Sequence, residues 1–384
     1  MSDLPPALRS SSRSSSGTEA SAWSTDLSAR LGARLGRRPS LRARAEAIRS
    51  LAVMVSARLP VVTALGTVAR QSTDTRLQEA LSAVAARVRG GESLADAFAR
   101  RERDLGALAT SLVRVGEASG TLDAVLLRLA DALERSAALR RQIRLALLYP
   151  AVVLVVAAGA VAFLLAVVVP TFADLFADFD AELPWQTQAL VSLSEGLRGG
   201  LWWIAILVVA GVVLARRALR SEKGRAHGER VLLRVPVAGS LYRKALTASF
   251  CRTLATLLGG SVPLADALGV TAEATTSPMA RDAARTLRRR VVGGGSLADR
   301  LNVAGGETLF PPMVADLVEV GEETARLDEM LAHAASHYER EVDGAVDALA
   351  SVIEPVLVVA LGLVVGAILV AIYLPMFDLV TTIE

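Results

Sequence analysis

Two histidines and a glutamate near the C-terminal end have the spacing that comes closest to a chemical site. His333 and His337 are four residues apart and Glu341 follows at the same interval, so a helix would place all three on one face. Imidazole and carboxylate groups in that arrangement can bind a divalent metal. No cysteine, metalloprotease-type glutamate or further histidine accompanies them, so a solvated helix face is the simpler interpretation. We expect no metal and no cofactor.

Other catalytic patterns are missing from the sequence. Neither lysine, Lys223 or Lys244, follows the glycines of a G-x-x-x-x-G-K-[ST] phosphate-binding loop. The single cysteine, Cys251, lies among apolar residues, which indicates a packed thiol rather than a nucleophile. A net charge of +3 does not indicate a nucleic-acid partner. We therefore expect a protein that is not an enzyme and binds no nucleic acid.

Two acidic residues beside glycines are the remaining polar candidates. Glu117 and Glu322 each stand in a Val-Gly-Glu sequence that precedes a predicted turn. We interpret them as organising the turn, and contact with a partner protein stays open because a domain without an active site acts through its surface. The candidate coupling residues of the two turns are Gly116, Glu117, Gly120, Leu122 and Asp123, and Gly321, Glu322, Leu327 and Asp328.

Both turns belong to an internal duplication. Leu51–Leu65 matches Leu254–Leu268 at an offset of 203, and Val115–Glu117 matches Val320–Glu322 at an offset of 205. Each copy is a soluble region followed by one apolar stretch. Predicted helix caps and flanking prolines recur in register: Asp74 with Ser277, Ser93 with Ser296, Pro150 with Pro355 and Pro170 with Pro375.

Long uncharged stretches account for the 52% hydrophobic composition. We predict membrane-spanning helices at 145–172, 199–215 and 353–377, since a span needs about 20 apolar residues. Their interiors carry no ionisable residue, which disfavours a transport path. Gly362 and Gly366 form a small-xxx-small face and are candidate helix-packing positions, either between spans or in a homo-oligomer.

Charges that flank the spans predict their orientation. Arginines precede the first span and follow the second, while the segment between them is acidic, so the positive-inside rule places both soluble copies in the cytosol. The predicted regions are a disordered Ser/Arg-rich tail (1–44), cytosolic bundle 1 (45–144), a short acidic extracytoplasmic loop (173–198), cytosolic bundle 2 (216–352) and an extracytoplasmic tail (378–384).

The soluble copies show helical periodicity and no strand-like alternation. The glycines of the segment 116–123, Gly116 and Gly120, are expected to stop one helix and turn the chain into the next. An apolar stripe then begins at Leu122 and recurs at Leu126, Leu129 and Leu133. We expect this last helix of each copy to continue into its span. The predicted fold class is all-α and integral to the membrane, with two homologous cytosolic helical bundles and three transmembrane helices.

Four motifs together resemble the type II secretion system F family. They are V-G-E-x-S-G-x-L-D at 115–123, Leu-Tyr-Pro at 148–150, Glu-Pro at 354–355 and Tyr-Leu-Pro-Met-Phe at 373–377. The second copy departs from the first motif, because Ala325 stands where the motif has glycine.

This resemblance implies a platform protein in the inner membrane of a type II secretion or type IV pilus assembly machine. The implied partners are a hexameric secretion or pilus ATPase at the cytosolic bundles, pilin or pseudopilin subunits at the spans, other inner-membrane subunits of the machine and the lipid bilayer. Two alternatives stay open, a transporter or channel subunit and a membrane signalling receptor. Which machine the protein serves is not determined by its sequence.

Overall fold

The structure is a computed structural model that describes residues 38–172, 221–301 and 309–382, with single helical positions between Gln188 and Arg217. All regular secondary structure in these residues is helical. One compact unit comprises the helices up to Arg135, and the other begins at Ser136 and comprises most of the remaining chain.

The first copy contains α1 (Leu41–Ser56), α2 (Val61–Gln71), α3 (Thr75–Arg89), α4 (Leu94–Ala99), α5 (Glu102–Leu105), α6 (Ala107–Ser119) and α7 (Leu122–Phe163). The second copy contains α8 (Glu222–Arg234), α9 (Pro236–Gly259), α10 (Leu264–Ala274), α11 (Pro278–Val292), α12 (Ala298–Leu301), α13 (Pro312–Glu323) and α14 (Leu327–Thr382).

The helix boundaries confirm the duplication. Helices α2 and α10 begin at Val61 and Leu264, and helices α7 and α14 begin at Leu122 and Leu327, at the offsets found in the sequence. Even an unusual backbone conformation recurs. Arg58 and the equivalent Ser261 both have φ of 63°, a left-handed conformation that follows the ends of α1 and α9 and precedes the shared proline.

Three predicted N-caps are present. The Asp74 carboxylate accepts hydrogen bonds from the backbone N–H groups of Arg76 and Leu77 at the start of α3. Ser277 caps α11 and Ser93 caps α4 in the same way. Each such cap stabilises its helix by about 1 kcal/mol. The fourth predicted cap, Ser296, accepts from Ala298 N–H at 3.1 Å.

The apolar stripe of α7 lies in the core of the first copy. Leu126, Leu129 and Leu133 are buried, whereas Leu122 at the helix start is half-buried. Cys251 is fully buried in the second copy, and that burial raises the pKa of its thiol to about 12. The thiol therefore stays protonated and packs as a small apolar group.

Two helices are long and apolar enough to cross a membrane, within Leu122–Phe172 and Leu327–Ala371. Only 11% and 6% of their most apolar windows are buried in the protein, unlike a core helix of a soluble domain. Helix α7 continues through Pro150. It is followed by a wider π-helical turn, Leu164–Val168. Pro170 lacks the N–H of a regular helix and its ring crowds the preceding turn, so the wider turn accommodates it.

Several predicted regions fall mostly outside the described residues: the helix at 199–215, the loop at 173–198 and the tail at 1–44. The described positions within 199–215 are helical. So are those between Gln188 and Gly196, where we predicted a loop. Helix α1 begins at Leu41, before the predicted start of bundle 1, and α14 runs to Thr382, past the predicted end of its span.

Candidate functional site

The predicted coupling turn of the first copy is the junction between α6 and α7. Gly120 has φ of 72° and ends α6. The Thr121 N–H donates to the Gly116 carbonyl at 2.9 Å, which closes the last turn of the helix. This is the arrangement of a left-handed helix cap with glycine at its turning point. One part of the expectation is wrong: Gly116 lies inside α6 and does not stop it.

Gly116 has a packing role. A Cβ atom at this position would lie 3.1 Å from both Leu122 Cα and Val125 Cβ, closer than ordinary carbon contacts. At the equivalent Gly321, it would lie 2.9 Å from Leu327 Cα. The glycine therefore lets the final helix of each copy start directly against the preceding helix.

The Glu117 carboxylate binds the beginning of helix α4. Its two oxygens accept hydrogen bonds from the backbone N–H groups of Leu94 and Ala95, each at 2.8 Å. The first N–H groups of a helix have no partner within the helix, and a carboxylate also interacts favourably with that end of the helix dipole. Glu117 thus ties the turn to a helix that begins 23 residues earlier.

Glu322 repeats this contact in the second copy. It accepts from the Leu297 N–H at 2.8 Å, from the Ala298 N–H at 3.3 Å and from the Ser296 hydroxyl at 2.6 Å. Both glutamates therefore hold the turn through contacts inside their own copy. The sequence carried a signal for this pairing, because Val-Gly-Glu and Ser-Leu-Ala-Asp recur together in both copies.

Ala325 occupies the position of Gly120 and adopts the same unusual backbone. Its φ is 57°, in the left-handed region that side chains disfavour by about 1–2 kcal/mol. The Arg326 N–H still donates to the Gly321 carbonyl at 2.9 Å, as Thr121 does to Gly116. The turn therefore keeps its shape without the glycine.

Among the candidate coupling residues, Asp123 and Asp328 carry a charge that has no described partner. They lie in the first turns of α7 and α14, and Asp123 is exposed. Within the described part of the chain, neither carboxylate has a hydrogen-bond or ion-pair partner. Leu122 and Leu327 pack against the two glycines instead. The first turn thus offers one aspartate to another molecule, and the second offers Asp328 together with the exposed Glu323.

An arginine–glutamate pair that we did not predict joins α1 to α7 in the first copy and α9 to α14 in the second. Arg49 on α1 donates from Nε and Nη2 to the two Glu134 oxygens, at 2.7 and 2.6 Å, and also bonds Asp131. This hydrogen bonding lowers the pKa of Glu134 and raises that of Arg49.

In the second copy, Arg252 binds Glu339 in the same two-pronged way, at 2.9 and 2.7 Å, and Ser336 replaces the aspartate. The side chains of this second pair are only 11% and 20% exposed, against 32% and 45% in the first. The sequence contained one signal for these pairs, because both the arginine and the glutamate recur in the second copy at the repeat offsets.

The candidate packing glycines of the last span do not meet a neighbour among the described residues. A Cβ atom at Gly362 or Gly366 would have open space around it. The contact between the two apolar helices lies elsewhere, where Ile368 packs with Leu165 and Val169. The buried Ser194 hydroxyl donates to the Leu165 carbonyl nearby.

The histidine cluster does not form a chelating site. His337 Nε2 lies 3.8 Å from Glu341 Oε1, and the other oxygen of Glu341 is 2.7 Å from Lys244 Nζ. This lysine lowers the pKa of Glu341. His333 is exposed. No group of three or more histidine, cysteine, aspartate or glutamate side chains in the described ranges is placed to hold a metal ion.

Comparison with known proteins gives a consistent result across the chain. The sequence model of a family described as "Type II secretion system (T2SS), protein F" matches twice, at residues 47–170 and 250–375. A type IV pilus assembly protein PilC from Thermus thermophilus is 38% identical over 90% of this chain and 84% of its own length. A type 4 fimbrial assembly protein PilC from Pseudomonas putida is 40% identical, over 86% of this chain and 82% of its own length. A type II secretion system protein F from Pseudomonas aeruginosa is 37% identical, over 88% of this chain and 83% of its own length.

Proposed function

The chain belongs to the type II secretion system protein F family, and we propose that it is an inner-membrane platform subunit of a type II secretion or type IV pilus assembly machine. Its two bundles lie in the cytosol in this proposal, and three helices span the membrane. Each bundle engages a hexameric ATPase, and the spans contact pilin-like subunits. The protein itself catalyses no reaction.

The observation that carries the proposal is the continuity of the final helix in each copy. Helix α14 runs from Leu327 to Thr382 without interruption, from the turn at one end into the apolar segment. Helix α7 does the same from Leu122 through Pro150. A hydrogen-bonded helix transmits displacement along its axis, so a force on either turn moves the attached span. Work done by a partner on the cytosolic side thereby reaches the bilayer.

The coupling turns are built to remain rigid under such a force. Gly116 and Gly321 set the contact between consecutive helices, and Glu117 and Glu322 tie each turn to a further helix. Asp123 and Asp328 lie at equivalent positions of the two turns and carry charge without a described partner, as does the exposed Glu323 in the second turn. We therefore assign the two equivalent aspartates to the surface that the ATPase contacts.

Reversing one charge tests this assignment. The Asp123→Arg variant should lower co-purification of the full-length chain with the candidate ATPase about tenfold, as a repulsive charge at an interface costs on the order of 1.4 kcal/mol. Glu79→Arg is the matched control, because Glu79 is an exposed acid on α3 that has no described partner. Unchanged co-purification of Asp123→Arg and Asp328→Arg, with both variants folded, would contradict the proposed contact.

A further inference from the structure

The membrane-proximal turns of α7 carry three arginines on one face. Arg140, Arg141 and Arg144 fall within an arc of about 100° at the helical repeat, and all three are exposed. No described residue lies within ion-pair distance of their guanidinium groups. The helix offers them no partner either, because residues 136–172 contain no aspartate or glutamate. The nearest upstream acid, Glu134, is bound to Arg49.

This cluster stands directly before the apolar segment. Residues 145–172 carry no charged side chain, so Arg144 is the last charge before a stretch long enough to cross a bilayer. Phosphate groups of lipids lie at that boundary in a membrane. Guanidinium groups bind phosphate through paired hydrogen bonds, and long arginine side chains reach from a helix to the headgroup level.

The second copy has lost all three arginines at the equivalent place. At the repeat offset of 205, the positions hold Ala345, Val346 and Leu349. Two aspartates, Asp343 and Asp347, occupy the same turns. Burial, followed by repulsion from Asp347 and Glu339, raises the pKa of Asp343. An anionic membrane surface would repel this segment, whereas it would attract the corresponding part of α7.

We propose that Arg140, Arg141 and Arg144 bind the phosphates of anionic phospholipids, and that the second copy has no corresponding lipid site. The inference rests on the proposed membrane location. Anionic lipid then anchors the first copy at the membrane surface and leaves the second copy free of that anchor. Lipid is favoured over soluble phosphate because the arginines lie on an open helix face without a pocket, where only a surface rich in phosphate supplies enough ligand.

The test uses the full-length chain in nanodiscs and in detergent. Native mass spectrometry measures retention of phosphatidylglycerol against phosphatidylcholine for the wild type and for the triple variant Arg140→Gln, Arg141→Gln, Arg144→Gln. The control, Arg89→Gln, Arg103→Gln, Arg114→Gln, removes the same charge from exposed arginines that lie earlier in the first copy and do not flank the apolar segment in the sequence. Both variants should keep the melting temperature of the wild type.

We expect the first triple variant to bind phosphatidylglycerol about 100-fold more weakly, from the contribution of three basic residues near an anionic surface, and the control to bind it normally. Equal loss in both variants, or no loss in either, overturns the proposal. Competition by millimolar inorganic phosphate in detergent would instead indicate a soluble phosphate site. Normal lipid retention with loss of an acidic protein partner would assign the arginines to that partner.

Failure of the proposed function has a different signature. A wild-type chain extracted from membranes by alkaline carbonate would not be integral to the bilayer, and both proposals would fall. A chain that resists extraction but binds both lipids equally would overturn only the lipid site.

Discussion

The two copies share the same three kinds of contact, but they differ in the residue at the left-handed turn position and in the exposure of the ion pair. Both have a close glycine, a carboxylate bound to a helix N-terminus and an arginine–glutamate pair, which joins α1 to α7 in the first copy and α9 to α14 in the second. The first copy has glycine at the left-handed turn position and a solvent-exposed ion pair. The second has Ala325 at that position and an ion pair that is largely buried. The second copy thus combines backbone strain at Ala325 with an ion pair that is better shielded from solvent.

The difference shows that tertiary contacts hold the turn. A left-handed alanine costs about 1–2 kcal/mol, whereas hydrogen bonds to a charged acceptor contribute about 1.5–3 kcal/mol each. Glu322 accepts three such bonds from the beginning of the neighbouring helix segment. Their sum exceeds the backbone strain, so Ala325 adopts the conformation that Gly120 adopts freely.

The ion pairs should give the largest difference between the copies. Arg252→Gln leaves the Glu339 carboxylate poorly solvated and should destabilise the second copy by about 2–3 kcal/mol. Arg49→Gln, at the exposed pair, should cost less than about 1 kcal/mol. Hydrogen–deuterium exchange of the full-length chain measures protection of α9 and α14 against α1 and α7. Equal losses in the two copies would show that burial of the pair does not decide its strength.

Enlarging the close glycines should have the next largest effect. Gly321→Ala should lower stability by about 1–2 kcal/mol, because overpacking against the Leu327 backbone outweighs the better helix propensity of alanine. Gly116→Ala, with its slightly longer contacts, should cost less.

The matched control is Gly66→Ala in α2, where an added Cβ would meet nothing closer than the Arg70 side chain at 3.7 Å. That variant should be neutral or stabilising by thermal unfolding of the full-length chain. A Gly321→Ala protein that melts like this control would remove the packing role from the glycine.

Exchanging glycine and alanine at the left-handed positions, 120 and 325, should change the stability least. The change should have opposite signs in the two copies. Ala325→Gly should stabilise the second copy by about 1 kcal/mol, since glycine adopts positive φ without steric cost. Gly120→Ala should destabilise the first by a similar amount. Thermal unfolding of both single variants and of the double exchange checks this. Destabilisation by Ala325→Gly would mean that the alanine methyl group makes a contact worth more than the strain.

Local signals in the chain predicted its helices well. Asp74 and Ser277 were recognisable as caps from their own type and the residues that follow them, because a cap bonds N–H groups two or three positions away. The stripe that begins at Leu122 was recognisable because a helix brings every third or fourth residue to one face. Gly116 was misread because its role depends on Val125, across the turn.

Only part of the candidate site could be predicted, because the partners of its residues are distant in the sequence. Glu117 stood out beside its glycine, but its partners lie 22 and 23 residues away. Arg49 and Glu134 are 85 positions apart, and nothing local connects them. The small-xxx-small pattern of Gly362 and Gly366 was local as well, and its packing role stays a prediction, since the described contact between the apolar helices lies at Ile368.

The amino-acid sequence by itself determined the duplication, the helical class and the apolar segments, because periodicity, capping and hydrophobic length are properties of neighbouring residues. The tertiary structure decided which carboxylates are hydrogen-bonded inside each copy and which have no described partner. The reason is that folding determines which backbone N–H and guanidinium groups, distant in the sequence, lie beside them. Asp123 and Glu117 look alike along the chain. The tertiary fold places the Glu117 carboxylate at the start of α4, where it accepts backbone hydrogen bonds, and leaves Asp123 as an exposed charge on the surface.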